Sequence, residues 1–121
     1  AGLYHYDPYR HALLPLLAGD LADSLSFAAL GQACVREAPP VLVVTAQYGL
    51  VTPTYGDRGV RYAQLEAGHA AQNVCLQATA LGLGSVVVGA FDDEEVMQTF
   101  SLPVTEVPLY LIPIGGLVDD G

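Results

Sequence analysis

The sequence has no lysine and no tryptophan, and its only cations are four arginines, Arg10, Arg36, Arg58 and Arg61. Thirteen carboxylates oppose them and leave a formal net charge of −9. Four cations cannot make a basic stripe, which excludes recognition of nucleic acid by phosphate neutralisation. A polybasic membrane-surface patch is excluded on the same ground. Without lysine there is no phosphate loop ending in Gly-Lys-Ser/Thr, and no Gly-x-Gly-x-x-Gly fingerprint follows a strand-like run. Cysteine is scarce as well. Cys34 and Cys75 stand alone in apolar surroundings with no Cys-x-x-Cys, and are expected to be buried free thiols in a reducing, cytoplasmic compartment. No apolar run approaches the ~20 residues of a membrane span. His5, His11 and His69 lack metal-ligand spacing, so no metal site is expected. No nucleophile-elbow glycine pattern is present for Ser/His/Asp catalysis.

What is present suits one compact domain. The 121 residues are 52% apolar and 14% charged, which excludes intrinsic disorder and a coiled coil. A chain of this length buries about two thirds of the surface its unfolded form exposes. It opens without Met and directly in strand-like sequence, and is expected to be part of a longer protein.

Residues 3–6 and 11–17 read as a hairpin about the turn Asp7-Pro8-Tyr9-Arg10, with Pro15 favouring an edge. Asp23 or Ser24 is expected to cap a short helix with Leu25, Ala28, Ala29 and Val35 on its buried stripe, ended by Ala38-Pro39-Pro40. Val41–Ala46 predicts a strand buried on both faces. Tyr48–Gly59, with three glycines and a proline, reads as a long loop. A helix follows from about Tyr62 to Leu81, and only Glu66 in it is charged. A helix without a charged face is normally buried all round. So short a chain cannot wrap six turns by itself, so this helix is expected in a subunit or domain interface. Its many small residues, Ala67, Gly68 and Ala71 among them, would let another helix come close. Gly82 and Gly84 are expected to end it. Ser85–Gly89 predicts a second buried strand. Asp92 caps a short helix with Glu95 three positions on, as in a capping box. Val107–Ile114 predicts a third strand, interrupted by Pro108 and Pro113, with a polar, flexible tail over Gly115–Gly121. Hairpin, helix, strand, loop, long helix, strand, short helix and strand make an α+β or α/β layered domain spanning 1–121.

Two places could carry chemistry. Arg58-Gly59-Val60-Arg61-Tyr62 sets two of the four cations and a phenol at a loop–helix junction. A phenol there could serve as acid/base or bind substrate; the plainer alternative is that Tyr62 packs and Arg61 pairs with a carboxylate. In Val88-Gly89-Ala90-Phe91-Asp92 a strand turns into a helix start, where open N–H groups could bond a polar ring edge; the alternative is a tight turn only. His69, mid-helix beside Gln72 and Asn73, reads as a satisfied polar core residue rather than a base.

Together these residues resemble a known family. The stretch Arg61 to Asn73 (RYAQLEAGHAAQN), then Ala80-Leu81-Gly82-Leu83-Gly84, Val88-Gly89-Ala90-Phe91-Asp92-Asp93 and Pro108 to Gly115 (PLYLIPIG) are similar to the nitroreductase superfamily. More narrowly they resemble its SagB-type dehydrogenases, the azoline oxidases of thiazole/oxazole-modified peptide pathways. The opening Gly2 to Pro8 with His11-Ala12-Leu13 is also similar, so the resemblance covers nearly the whole chain; Arg61 to Asn73 is its most specific part. The resemblance implies an α+β nitroreductase-like fold, a homodimer or tandem pseudo-dimer partner, and FMN at the interface. It implies a catalytic role for Tyr62 and places Arg61 where the group has Lys; arginine stays protonated and is a poor base. It implies that Val88, Gly89, Ala90 and Phe91 meet the flavin ring. The family's N-terminal phosphate-binding segment and the basic residue after the final glycines are not found here. The expectation is a partial domain whose flavin site another part completes. The implied reaction is oxidation of peptide azolines to azoles. The alternatives are an NAD(P)H-dependent nitro or quinone reductase, and a non-catalytic dimerisation half-domain.

Overall fold

The computed structural model describes residues 1–118. Two strands open the chain, β1 (Gly2–Asp7) and β2 (Ala12–Ala18), paired antiparallel as the expected hairpin with a bulge between Leu3 and Tyr4. This two-stranded sheet is separate from the main one, and Leu3 packs it against the core. Then follow α1 (Ala22–Ala28), α2 (Ala33–Glu37), β3 (Val41–Ala46), α3 (Thr52–Tyr55), α4 (Arg58–Ala80), β4 (Leu83–Ser85), α5 (Asp93–Phe100) and β5 (Val107–Gly116). The main sheet is antiparallel in the order β3-β5-β4. The α+β expectation holds.

The sheet has helices on both sides. Leu111 and Ile112, adjacent in β5 and both 0% exposed, point to opposite faces. Leu111 joins Leu25, Ala28, Ala29, Val35, Val88, Val96 and Phe100 in the core cluster, which contains no residue of α4. Val43, paired with Leu111, packs against the same cluster. The other face carries α4, which contacts β3, β4 and β5 and buries Ala67, Ala71 and Ala78.

Several local readings are corrected. The expected helix after Asp23 is two helices, broken where Leu30 and Gly31 take φ of 61° and 74°. Neither Asp23 nor Ser24 caps it: Asp20 Oδ1 accepts from the Ala22 N–H at 2.9 Å. β3 is not buried on both faces, since Leu42 is 43% exposed. The loop over Tyr48–Gly59 is largely helical, with a 3-10 turn at Tyr48–Leu50, then α3 and the first turn of α4. Gly59 explains part of this. A Cβ there would sit 3.1 Å from the Val51 and Thr52 backbone, so only glycine lets α4 start so close to α3. The expected strand at Ser85–Gly89 is instead β4 over Leu83–Ser85, which includes Gly84, followed by an isolated Val88–Leu111 bridge. The ladder breaks at Pro113, whose carbonyl accepts from Val86 N–H at 3.3 Å but which has no N–H to return. β5 nevertheless runs unbroken through Pro108 and Pro113 at the centre of the sheet, Pro108 beside a bulge between Val44 and Thr45. It absorbs Gly115 and Gly116 from the expected tail; residues 119–121 lie outside the described residues. Gly82 does end α4, at φ 72°. Asp92 does cap α5, its Oδ1 accepting from Glu95 N–H at 2.9 Å. Cys34 is exposed and Cys75 half-buried, not the two buried thiols expected.

Among the described residues no helix is long and apolar enough to cross a membrane, and no group of three or more His, Cys, Asp or Glu could hold a metal ion.

Candidate functional site

The first turns of α4 gather an aromatic and cationic cluster. Arg58 Nε donates to Tyr62 Oη at 3.0 Å, one helical turn away. The guanidinium carbon also lies 5.5 Å from the Tyr62 ring centre, and Tyr55 of α3 meets the ring edge-on at 5.4 Å. Tyr62 is 38% exposed, so its phenol is held by neighbours yet reachable from outside. Arg61 is exposed and makes no ion pair among the described residues. The structure thus places Arg58, not Arg61, on the phenol.

The second element is the turn Val88–Phe91. Val88 is buried and exchanges both backbone hydrogen bonds with Leu111, at 2.8 and 3.0 Å. After it Gly89 and Ala90 are exposed and Phe91 packs against the core. The turn is fastened from behind. Gln32 Nε2 donates to the Ala90 carbonyl at 3.0 Å and the Ala29 carbonyl at 2.9 Å. Asp92 N–H donates to the Ala28 carbonyl at 2.8 Å. Among the described residues no hydrogen bond engages the N–H of Gly89, Ala90 or Phe91. Gly89 has no side chain, and a Cβ built there would stand 3.8 Å from the Tyr110 ring.

Between the end of β3 and the middle of α4 runs an open groove of about 550 Å³, lined by Val44, Gln47, Ala63, Glu66, His69 and Asn73 among others. His69 is exposed there, not a core residue. The groove is lined neither by Tyr62 nor by the Val88–Phe91 turn. Among the described residues no hydrogen bond joins the phenol cluster to the turn.

These parts fit one end of a flavin. Exposed, unpaired backbone donors on a turn without a side chain at Gly89 suit the polar edge of an isoalloxazine. Three of the four arginines are engaged by other groups of this chain. Arg10 pairs with Asp7 at 3.7 Å, Arg36 with Glu37 at 3.8 Å, and Arg58 is on Tyr62.

Two kinds of likeness bear on this arrangement. The Nitroreductase family model matches residues 4–116. A curated protein of Methanocaldococcus jannaschii that carries a nitroreductase name is 46% identical over 118 residues, covering 98% of this chain and 59% of that protein. A crystal structure from Anabaena variabilis, also carrying a nitroreductase name, superposes with a TM-score of 0.90 at 32% identity, covering 98% of this chain and 24% of that one. The Escherichia coli microcin synthetase McbBCD complex with truncated pro-MccB17 bound contains a chain that superposes with a TM-score of 0.83 at 31% identity, covering 96% of this chain and 44% of that one. This chain therefore spans less than two thirds of each of these relatives.

Proposed function

This chain belongs to the nitroreductase family, and from that premise we propose that it supplies one wall of an FMN site in a flavin-dependent oxidoreductase. The observation that carries the reading is the Val88–Phe91 turn, with its free N–H groups in front and its anchors behind. Gly89, Ala90 and Phe91 would hold the ring edge through those donors. When bound, the flavin supplies two-electron hydride chemistry. The chain's own share is binding, exclusion of water and proton handling. Tyr62 holds or moves a proton at Oη, with Arg58 orienting the phenol. Arg61 acts as a fixed cation, since it does not give up its proton. The phosphate is held by residues other than these, from a homodimer or tandem pseudo-dimer partner that covers α4.

The substrate reading is oxidation of a peptide azoline to an azole, in which the ring would lose a hydride to oxidised FMN and a proton that Tyr62 would relay. The likeness to the microcin synthetase complex, a structure with a peptide precursor bound, supports it. The nitroreductase name of the Methanocaldococcus jannaschii relative favours a second reading, an NAD(P)H-dependent nitro or quinone reductase. The engagement of three of the four arginines by other groups among the described residues favours a third, a non-catalytic dimerisation half-domain.

Flavin uptake separates these readings. Purified protein with excess FMN is expected to retain a yellow chromophore after desalting and to show an FMN difference spectrum. No uptake removes both enzymatic readings and leaves the third. If flavin binds, peptide-azoline oxidation assayed against NAD(P)H oxidation decides between the first two.

A further inference from the structure

The α1–α2 break and the Val88–Phe91 turn are far apart in sequence, and among the described residues Gln32 makes the one side-chain hydrogen bond between them. We infer that Gln32 is the positioning residue of the flavin-facing turn, fixing the Phe91 N–H as an outward donor; this rests on the FMN reading above.

In a planar trans peptide the C=O and the next N–H point in opposite directions, and no cis bond occurs among the described residues. Gln32 Nε2 holds the Ala90 carbonyl at 3.0 Å, so the Phe91 N–H of that same peptide unit is directed away from Gln32. Leu111 N–H likewise holds the Val88 carbonyl at 3.0 Å, which directs the Gly89 N–H away from β5. Two of the three free donors of the turn are thus set by bonds made to the carbonyls behind them. The first of these anchors is an intact strand bridge. The second depends on one side chain.

Gln32 is itself held. Its second amide proton is donated to Ala29, which is 0% exposed, at 2.9 Å. Its own carbonyl accepts from Ser26 Oγ at 3.3 Å. The left-handed Leu30 and Gly31 lift the chain out of α1, so that Gln32 faces the turn instead of continuing the helix. A neutral amide is the side chain that suits this place, because it offers two donors to two carbonyls. A carboxylate would face both carbonyls with no proton, and a methionine would fill the space, leaving the Ala90 carbonyl unbonded and the Ala29 carbonyl with only the backbone N–H of residue 32, at 3.2 Å.

The test compares Gln32→Met with Ser26→Ala, which removes a bond from the same break without touching the turn. Nitrogen-15 relaxation in the flavin-free protein should give order parameters of about 0.85 at Ala90 and Phe91 in the wild type and in Ser26→Ala, falling below about 0.6 in Gln32→Met. FMN affinity, read by quenching of flavin fluorescence, should fall about tenfold in Gln32→Met and stay within twofold in Ser26→Ala. An unchanged order parameter at Phe91 in Gln32→Met overturns the inference. So does an affinity loss that Ser26→Ala reproduces. If the wild type takes up no FMN, the flavin reading fails, while the relaxation measurement still decides whether Gln32 holds the turn. If Gln32→Met does not fold, the wild type decides: a coupling across the hydrogen bond between Gln32 Nε2 and the Ala90 carbonyl carbon supports the clamp, and its absence removes it.

Discussion

α5 and α4 flank the same sheet and treat water in opposite ways. α5 buries Val96 and Phe100 in the core and turns Asp93, Glu94 and Glu95 outward, with the acids at its positive end. Its outer face is finished by solvent. α4 buries only Gly59 and the small Ala67, Ala71 and Ala78. At about 100° per residue, Leu65 and Leu76 fall on one stripe roughly opposite those alanines, and they are 52% and 59% exposed. A 23-residue helix with leucines on its outer stripe and Glu66 as its one carboxylate is not finished by solvent. The difference separates a helix that completes this chain's own core from one that leaves an apolar stripe open. The Val88–Phe91 turn lies at the start of the first helix and the phenol at the start of the second.

The comparison breaks first at the core. Leu111→Ala removes a fully buried side chain shared by the sheet and the α1–α5 side, and should cost about 2–5 kcal/mol in urea unfolding. A loss below about 1 kcal/mol would mean that this side is no better sealed than the α4 side. Next comes the phenol. Tyr62→Phe keeps the ring packed on Tyr55 and removes the hydroxyl that Arg58 holds. Turnover should fall about a hundredfold, at the low end for a lost acid/base group, with flavin content unchanged. Equal rates would remove Tyr62 from the chemistry and leave the cluster as packing.

Most of the fold could be read from pattern. The hairpin, β3, the capped α5 and the glycine end of α4 each follow from local rules. What escaped depended on tertiary approach. Gly59 reads as a breaker, yet here its missing side chain lets α4 begin against Val51 and Thr52. That put Arg58 on the helix, one turn before Tyr62, where the sequence pointed to its neighbour Arg61. Pro113 interrupts one ladder through its missing N–H without interrupting its own strand, which depends on which neighbour lies on which side. Gln32 carried no signal at all, because its partner carbonyl is 58 residues away. The phenol and the glycine turn were legible as types; the groups that orient them were not.

The outer face of α4 is tested more gently. Leu76→Glu places a charge on the exposed stripe, where this chain alone loses little from it. If a partner covers that stripe, a carboxylate is buried without a counter-charge, and self-association measured by sedimentation should weaken at least tenfold, about 1.4 kcal/mol. Gln98→Glu on the outer face of α5 is the control and should leave association unchanged. Equal behaviour of the two variants would erase the distinction between the helices.

The smallest effect sharpens the self-sufficient side. Asp92 ends the Val88–Phe91 turn and starts α5, its Oδ1 accepting from Glu95 N–H at 2.9 Å while its own N–H is held by the Ala28 carbonyl. Asp92→Ala removes only the side-chain bond, and should lower stability by about 1 kcal/mol. Because the backbone bond to Ala28 and the Gln32 contact to Ala90 remain, the turn should keep its shape and FMN affinity should change less than twofold. A larger loss of affinity than of stability would mean that the cap of α5, and not Gln32, sets the turn.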